Sequence, residues 1–558
     1  MQTETKPCKN CQQNFIIVPE DFSFYKKMDV PAPTLCPQCR MQRRMLFFNE
    51  RALFKRKCGL CGKESVSSHR PDAPHPVYCQ TCWWSDKWDP LVFGREYDPS
   101  RSFFEQLKEL RDAVPLPSLN NIHTTNINSE YCNMTSYVKN SYLLFNSDFD
   151  EECSFGCYLE QSKRCYDVDD SDLCELCYDS VGLHKCYRVQ YSVDLVECID
   201  ALFSRSLHNC SDCFGSINLR NKQYCIFNEQ KTKEEYFAEL KKFDLTTAEQ
   251  VQELKERVEK FFLTQPRKYM TSLNTVNSTG DYIFQSKNIT KGYNIVGAED
   301  CKYCHFFIIK GGRDCMDVTK WGGNLVRGYE SCAIGGGQNN VKFCFECWAE
   351  SSNLTYCSRI VAPNSDLFGC IGLRNKQYCV LNKQYSKEEY GALTTKIIAR
   401  MREDGEWGEF FPASYSLFGY NESFANKFLP LSKTEIEQKG FKWAEPEQRT
   451  YEVGGDVLAC GHTGQCDQQC STAFRLTSAE TAFYKNYGIA LPTLCPNCRH
   501  YERLRLRNGI ELFHRKCMCD RAHASHAGGH CRNEFETSYA PDRPEIVYCE
   551  QCYQAEVT

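Results

Sequence analysis

The chain has 558 residues, a hydrophobic fraction of 42% and a net charge of -5; this apolar content can build several packed cores and excludes a disordered polymer. No apolar run approaches the ~18–20 residues of a membrane span, the opening MQTETKPCKN lacks the basic-then-apolar order of a secretory signal, and the charge gives no global attraction to nucleic acid or an anionic membrane. The 38 cysteines, many in C-x-x-C pairs, suit metal thiolates in a reducing compartment better than disulfides, so a cytoplasmic protein without membrane contact is expected.

Residues 1–93 are expected to form a double zinc-binding module. Four C-x-x-C pairs follow one another, and tetrahedral Zn²⁺ takes four thiolates at ~2.3 Å. Grouping neighbouring pairs assigns Cys8, Cys11, Cys36 and Cys39 to one ion and Cys58, Cys61, Cys79 and Cys82 to a second. Within the module, RMQRRMLFFNERALFKRK (40–57) carries Arg40, Arg43, Arg44, Arg51, Lys55, Arg56 and Lys57 against Glu50. Arginine interleaved with phenylalanine suits phosphate contact and base stacking, of RNA more than of duplex DNA. A solvated helix face would carry the same residues.

A helical linker (94–130), containing SFFEQLKELRDAV, leads to a Cys-rich β-solenoid over 131–230. Cysteines and tyrosines recur there at a step of roughly eleven, and alternate members share a phrase, as in KRCYDVDDSD and HKCYRVQYSVD. The phrase implies coils of about 22 residues with interior cysteine ladders. A strand sends i and i+3 to opposite faces, so Cys174 with Cys177 and Cys344 with Cys347 stand out as possible knuckles instead. A helical cap and linker (231–270) follows, then a second Cys-rich solenoid (271–385) and a second helical cap and linker (386–455). The solenoids are duplicates, because FGSINLRNKQYCIFNEQKTKEEY (214–236) matches FGCIGLRNKQYCVLNKQYSKEEY (368–390). Each ends in a capping box, Thr232 with Glu235 and Ser386 with Glu389.

Residues 456–558 repeat the first module. PTLCPNCR (492–499) copies PTLCPQCR (33–40), Phe483-Tyr484-Lys485 copies Phe24-Tyr25-Lys26, and VYCEQC copies VYCQTC. The expected ligand sets are Cys466, Cys470, Cys495 and Cys498, then Cys517, Cys531, Cys549 and Cys552, making about four Zn²⁺ ions in all. An insertion, MCDRAHASHAGGH, adds Cys519, His523, His526 and His530, which could replace a ligand, bind another ion or form a mobile loop. The basic segment returns as Arg499, Arg503, Arg505, Arg507, Arg515 and Lys516.

A cysteine knuckle and hairpin followed by a CPxCR pair resembles treble-clef and zinc-ribbon modules, which implies metal and leaves the partner open between nucleic acid and protein. Over nearly its full length the chain also resembles a cysteine-rich family of candidate-phyla bacteria; that likeness implies a bacterial cytoplasmic setting and carries no particular activity. The expected fold is mainly β with helical linkers: two short parallel β-helix-like solenoids flanked by duplicated double-zinc modules.

Three functions compete. The preferred one is a non-catalytic zinc-binding adaptor that meets structured RNA or the ribosome through Arg40, Arg43, Arg44, Lys55, Arg56, Lys57, Arg499, Arg503, Arg505 and Arg507, and protein through the solenoids. A pure protein-interaction scaffold is the first alternative, favoured if the purified protein carries no nucleic acid and those cations pair with the body's own carboxylates. A carbohydrate-active β-helix enzyme is the second, using an acidic column of Asp148, Asp150, Glu151 and Glu152 beside Asp169, Asp170 and Asp172. No P-loop, G-x-S-x-G or H-E-x-x-H motif is present, and no small-molecule cofactor is evident.

Overall fold

A computed structural model describes residues 2–122, 125–446, 452–523, 526 and 529–557. The fold is mainly β, and no described helix is long and apolar enough to cross a membrane. The chain divides into two compact units, each discontinuous in sequence: Met1–Leu119 with Met270–Ala444, and Asn120–Tyr269 with Glu445–Thr558. Each unit thus joins a terminal cysteine module to the parallel ladder that lies farther from it along the chain.

In the second unit, residues 127–226 pair in parallel with residues twelve positions on, as in Tyr166↔Tyr178, Ser211↔Gln223 and Lys163↔Glu175. The repeat is therefore twelve residues rather than about 22. It arises from a three-residue step. Met134, Tyr137, Asn140, Leu143, Asn146 and their successors at every third position have φ near +50 to +60°. One left-handed residue per step turns the chain, so side chains three apart point the same way. Cys165, Val168, Cys174, Cys177, Leu183 and Cys186 accordingly share one core. Cys174 and Cys177 are both interior, and so are Cys344 and Cys347 in the other unit, each at 2% exposure or less. The knuckle reading of these pairs fails because it assumed a plain strand. Left-handed backbone costs a non-glycine residue roughly 1 kcal/mol, and Asn, Asp or Gly fills many of these positions, including Asn140, Asp167, Asp179, Gly182 and Asn218.

The interior is narrow, which explains its composition. Ser180, Ser192, Ser204 and Ser216 form a column in which each hydroxyl accepts the N–H of the next serine, at 3.0–3.3 Å. The cysteine thiols donate to the carbonyl two residues back, Cys198 to Val196 and Cys210 to His208 at 3.3 Å. A small apolar side chain with a weak donor fills the space and satisfies a buried carbonyl together.

The first unit builds its ladder on the same plan with offsets of 11 to 14, for example Ser272↔Ile283, Glu299↔Arg313 and Asn339↔Ser352. Gly280 belongs to it by necessity: at φ +137° an added Cβ would lie 1.9 Å from the Gly292 carbonyl oxygen. Both ladders close on a short antiparallel pair, Gln223–Ile226 with Glu229–Gln230 and Gln377–Val380 with Lys383–Gln384. Helices Lys233–Leu240 and Lys387–Glu403 then start from the Thr232/Glu235 and Ser386/Glu389 capping boxes.

Candidate metal centres and the helices that dock them

Each terminal module gathers two cysteine tetrads. Cys8, Cys11, Cys36 and Cys39 come together, as do Cys58, Cys61, Cys79 and Cys82, and Cys517, Cys531, Cys549 and Cys552. In each case the ligand atoms lie within 4.8 Å of one another. The remaining tetrad is Cys460, Cys470, Cys495 and Cys498. Cys460, which follows the strand Val457–Ala459, takes the place expected for Cys466, although Cys466 Sγ also lies 3.8 Å from Cys498 Sγ. A nine-residue gap between Cys460 and Cys470 hid this pair from spacing arguments. The signal was the strand before it, because Cys8 likewise follows the strand Glu4–Pro7.

The geometry fits a metal. Cys11–Cys36, Cys61–Cys79 and Cys460–Cys498 have sulfurs 3.8–3.9 Å apart. Sulfurs bound tetrahedrally at about 2.3 Å stand about 3.8 Å apart. All 38 cysteines are free thiols rather than disulfides.

The local fold also favours thiolates. Cys36, Cys79, Cys495 and Cys549 are each the N-cap of a helix, where free N–H groups and the helix dipole favour negative charge. Cys36 and Cys79 donate their own N–H to Cys8 Sγ and Cys58 Sγ at 3.2 Å, and Cys495 and Cys549 do the same to Cys460 and Cys517 at 3.3 Å. A hydrogen bond from the Cys39 thiol draws the Cys36 thiol down to about 5 while raising Cys39, and the Cys498 thiol draws Cys495 down to about 4 while itself raised, so each pair holds one thiolate ready.

Six of the eight arginines predicted for RNA lie elsewhere than on a surface. In the first unit the helix Pro37–Met45 lays Arg40 and Arg44 against the ladder. Arg40 Nη2 meets Asp317 Oδ2 at 2.7 Å, and Arg44 Nη1 meets Glu330 Oε2 at 3.0 Å. All four side chains are 1% exposed or less. Arg43 bridges Glu330 and Glu409 at 2.9 and 3.0 Å.

In the second unit the helix Pro496–Leu504 does the same. Arg503 meets Asp167 at 2.7 Å and Asp169 at 2.8 Å. Arg499 meets Asp167 at 2.9 Å and Glu480 at 3.1 Å, His500 meets Asp169 at 3.1 Å, and Arg507 meets Asp170 at 2.9 Å. Arg40, Arg43, Arg44, Arg499, Arg503 and Arg507 are thus corrected from nucleic-acid contacts to internal ion pairs. Their guanidiniums are taken by carboxylates, and exposing them would strand buried negative charge.

Three of the four remaining cations are also engaged. Arg56 donates to the carbonyls of Arg70, Ala73 and His75 at 2.6–3.0 Å. Lys55 faces Glu64 at 3.8 Å and Arg505 faces Glu502 at 2.8 Å, both on the surface, and Lys57 is exposed.

The proposed acidic column does not line one cleft. Asp150 is buried and accepts from Ser162 N–H, Asp148 accepts from Ser136, Glu151 sits between Lys139 and Lys163, and Asp172 holds His184 at 2.8 Å. Glu152 is exposed, while Asp169 is taken by Arg503 and His500 of the docking helix and Asp170 by Arg507 just beyond it.

No family model matches the chain, and no curated protein matches it. Among solved structures, a presumed acetyltransferase from Desulfovibrio desulfuricans G20 shares 11% identity over 48% of this chain and 71% of its own. Its TM-score of 0.09 supports no common fold.

Proposed function

We propose that the protein is a non-catalytic scaffold in which zinc-bound cysteine modules clamp two short β-solenoids. Zinc is the natural ion for closed sites of four thiolates in a reducing compartment. One observation carries the reading: the basic helix beside the first tetrad of each module is consumed by carboxylates of a ladder. That is one of the two conditions that favour the scaffold over RNA binding, the other being a purified protein free of nucleic acid. The modules then serve as fasteners, and the ladders' outer faces are left for protein partners. A salt titration of the purified full chain with structured RNA tests it. No binding at micromolar protein is expected, and Arg40→Ala should lower thermal stability. RNA affinity that falls linearly with the logarithm of salt, and weakens in Lys55→Ala, Lys57→Ala or Arg505→Ala, would restore the RNA reading.

A further inference from the structure

We infer that the last cysteine tetrad is half of a two-metal centre, with the Cys552 thiolate shared between two zinc ions. The second ion is held by Cys519, His523, His526 and Cys552, whose ligand atoms lie within 4.8 Å of one another. This rests on reading the tetrads as zinc sites.

Cys519, His523 and His526 of the insertion build the second half. Cys519 stands two residues beyond the tetrad ligand Cys517, and its carbonyl accepts the N–H of the tetrad ligand Cys531 at 2.9 Å. The extra thiol is thereby fixed against the first site. His523 and His526 exchange backbone hydrogen bonds in both directions at 3.0 Å, which sets their rings side by side at 4.2 Å. Each ring then turns one nitrogen to a sulfur: His523 Nε2 lies 3.5 Å from Cys519 Sγ, and His526 Nε2 lies 3.6 Å from Cys552 Sγ. For bonds of about 2.3 Å to sulfur and 2.1 Å to nitrogen, the edge of a coordination tetrahedron is about 3.6 Å.

Both sulfurs are fully buried and both imidazoles half-buried. That is the layout of a closed structural site. Sharing also relieves charge. Four thiolates around one divalent ion leave about two net negative charges, whereas five thiolates, two neutral imidazoles and two divalent ions leave about one. A thiolate has lone pairs enough for two metals.

His530 is outside the centre: it is exposed, and its Nδ1 pairs with Asp520 Oδ1 at 2.7 Å. The second tetrad of the N-terminal module, Cys58, Cys61, Cys79 and Cys82, lacks the means to share a thiolate with a further ion. Gly59 and Leu60 occupy the positions of Met518 and Cys519, and Cys61 follows at once.

The test is metal content of the full chain purified from zinc-replete cells, together with ¹¹³Cd NMR of the cadmium-loaded protein. Wild type and His530→Ala should hold about five ions and His523→Ala or His526→Ala about four, the retained ions showing that the module still folds. Cadmium should give one all-sulfur and one sulfur–nitrogen resonance coupled to each other, with the coupling lost in His526→Ala. Four ions in wild type, an unchanged count in both histidine variants, or no coupling would overturn the shared centre. Failure of the underlying zinc reading looks different: Cys36→Ser would then leave the count unchanged.

Discussion

Set side by side, the two docking faces show one solution written twice with a charge exchanged. The ladder strands align as CYDVDD (165–170) and CMDVTK (315–320). Asp167 and Asp317 occupy the same place and receive the same arginines, Arg499 and Arg503 or Arg40 and Arg44. One turn along each ladder, Tyr178 and Tyr329 meet the module tyrosines Tyr484 and Tyr25, with ring centroids 5.6 Å apart in both units. The next positions diverge. Where His500 faces Asp169, Met41 stands in the other helix and Thr319 in the other ladder. Asp170 pairs with Arg507, whereas Lys320 is held by Glu50 at 2.5 Å and lies over the Phe48 ring, which replaces Arg507. The shared positions bind and the exchanged ones discriminate. A module on the wrong ladder would set Arg507 against Lys320, and a buried like-charge contact costs several kcal/mol.

The largest effect expected is loss of metal. Cys36→Ser should remove the ion of the first tetrad and unfold the part of the N-terminal module it holds, at a cost of roughly 10 kcal/mol, with hydrogen-exchange protection falling in the first unit and persisting in the second; metal analysis with exchange mass spectrometry checks both. Breaking a docking pair comes next. Arg44→Ala or Arg503→Ala leaves buried carboxylates uncompensated and should cost about 3–5 kcal/mol in its own unit. Lys320→Glu alone should be as damaging, since it meets Glu50. A Lys320→Glu chain as stable as wild type would break the charge-exchange account.

Acid should separate the units by a smaller amount. In the first, burial and then the Arg44 charge push His305 down to about 3, and burial and then Arg56 push His75 down to about 3. A ring depressed on folding holds fewer protons folded than unfolded, so its stabilisation is whole above pH 6.5 and shrinks as pH falls toward 3. At pH 5 the loss is roughly 2 kcal/mol per ring. In the second unit burial also lowers His208, but it raises Asp148 to about 6, and that contribution grows as pH falls from 6 toward 4. Exchange protection at pH 7 and pH 5 should therefore drop more in the first unit. The smallest effect is interior: Ser204→Ala removes one link of the serine column and should cost about 1 kcal/mol, read as a shift in the thermal midpoint.

Sequence by itself determined what is local or duplicated. C-x-x-C knuckles act over a few residues, so fifteen of the sixteen cysteines proposed as ligands fall into the four tetrads; the exception is Cys466, whose place Cys460 takes. The capping boxes were legible for the same reason. The twelve-residue repeat was hinted at by Asn, Asp and Gly at many of the third positions, but it was obscured because other residues fill the rest and strand alternation fails once each step contains a left-handed residue. Tertiary structure alone decided the fate of the arginines. A run of basic residues reads as a surface for anions until its counter-charges are found, and these lie 277 positions away for Arg40 and 336 for Arg503, brought near by the crossed pairing of module and ladder. Charge recorded along a chain gives sign and spacing; whether it faces water or a carboxylate depends on which distant surface packs over it.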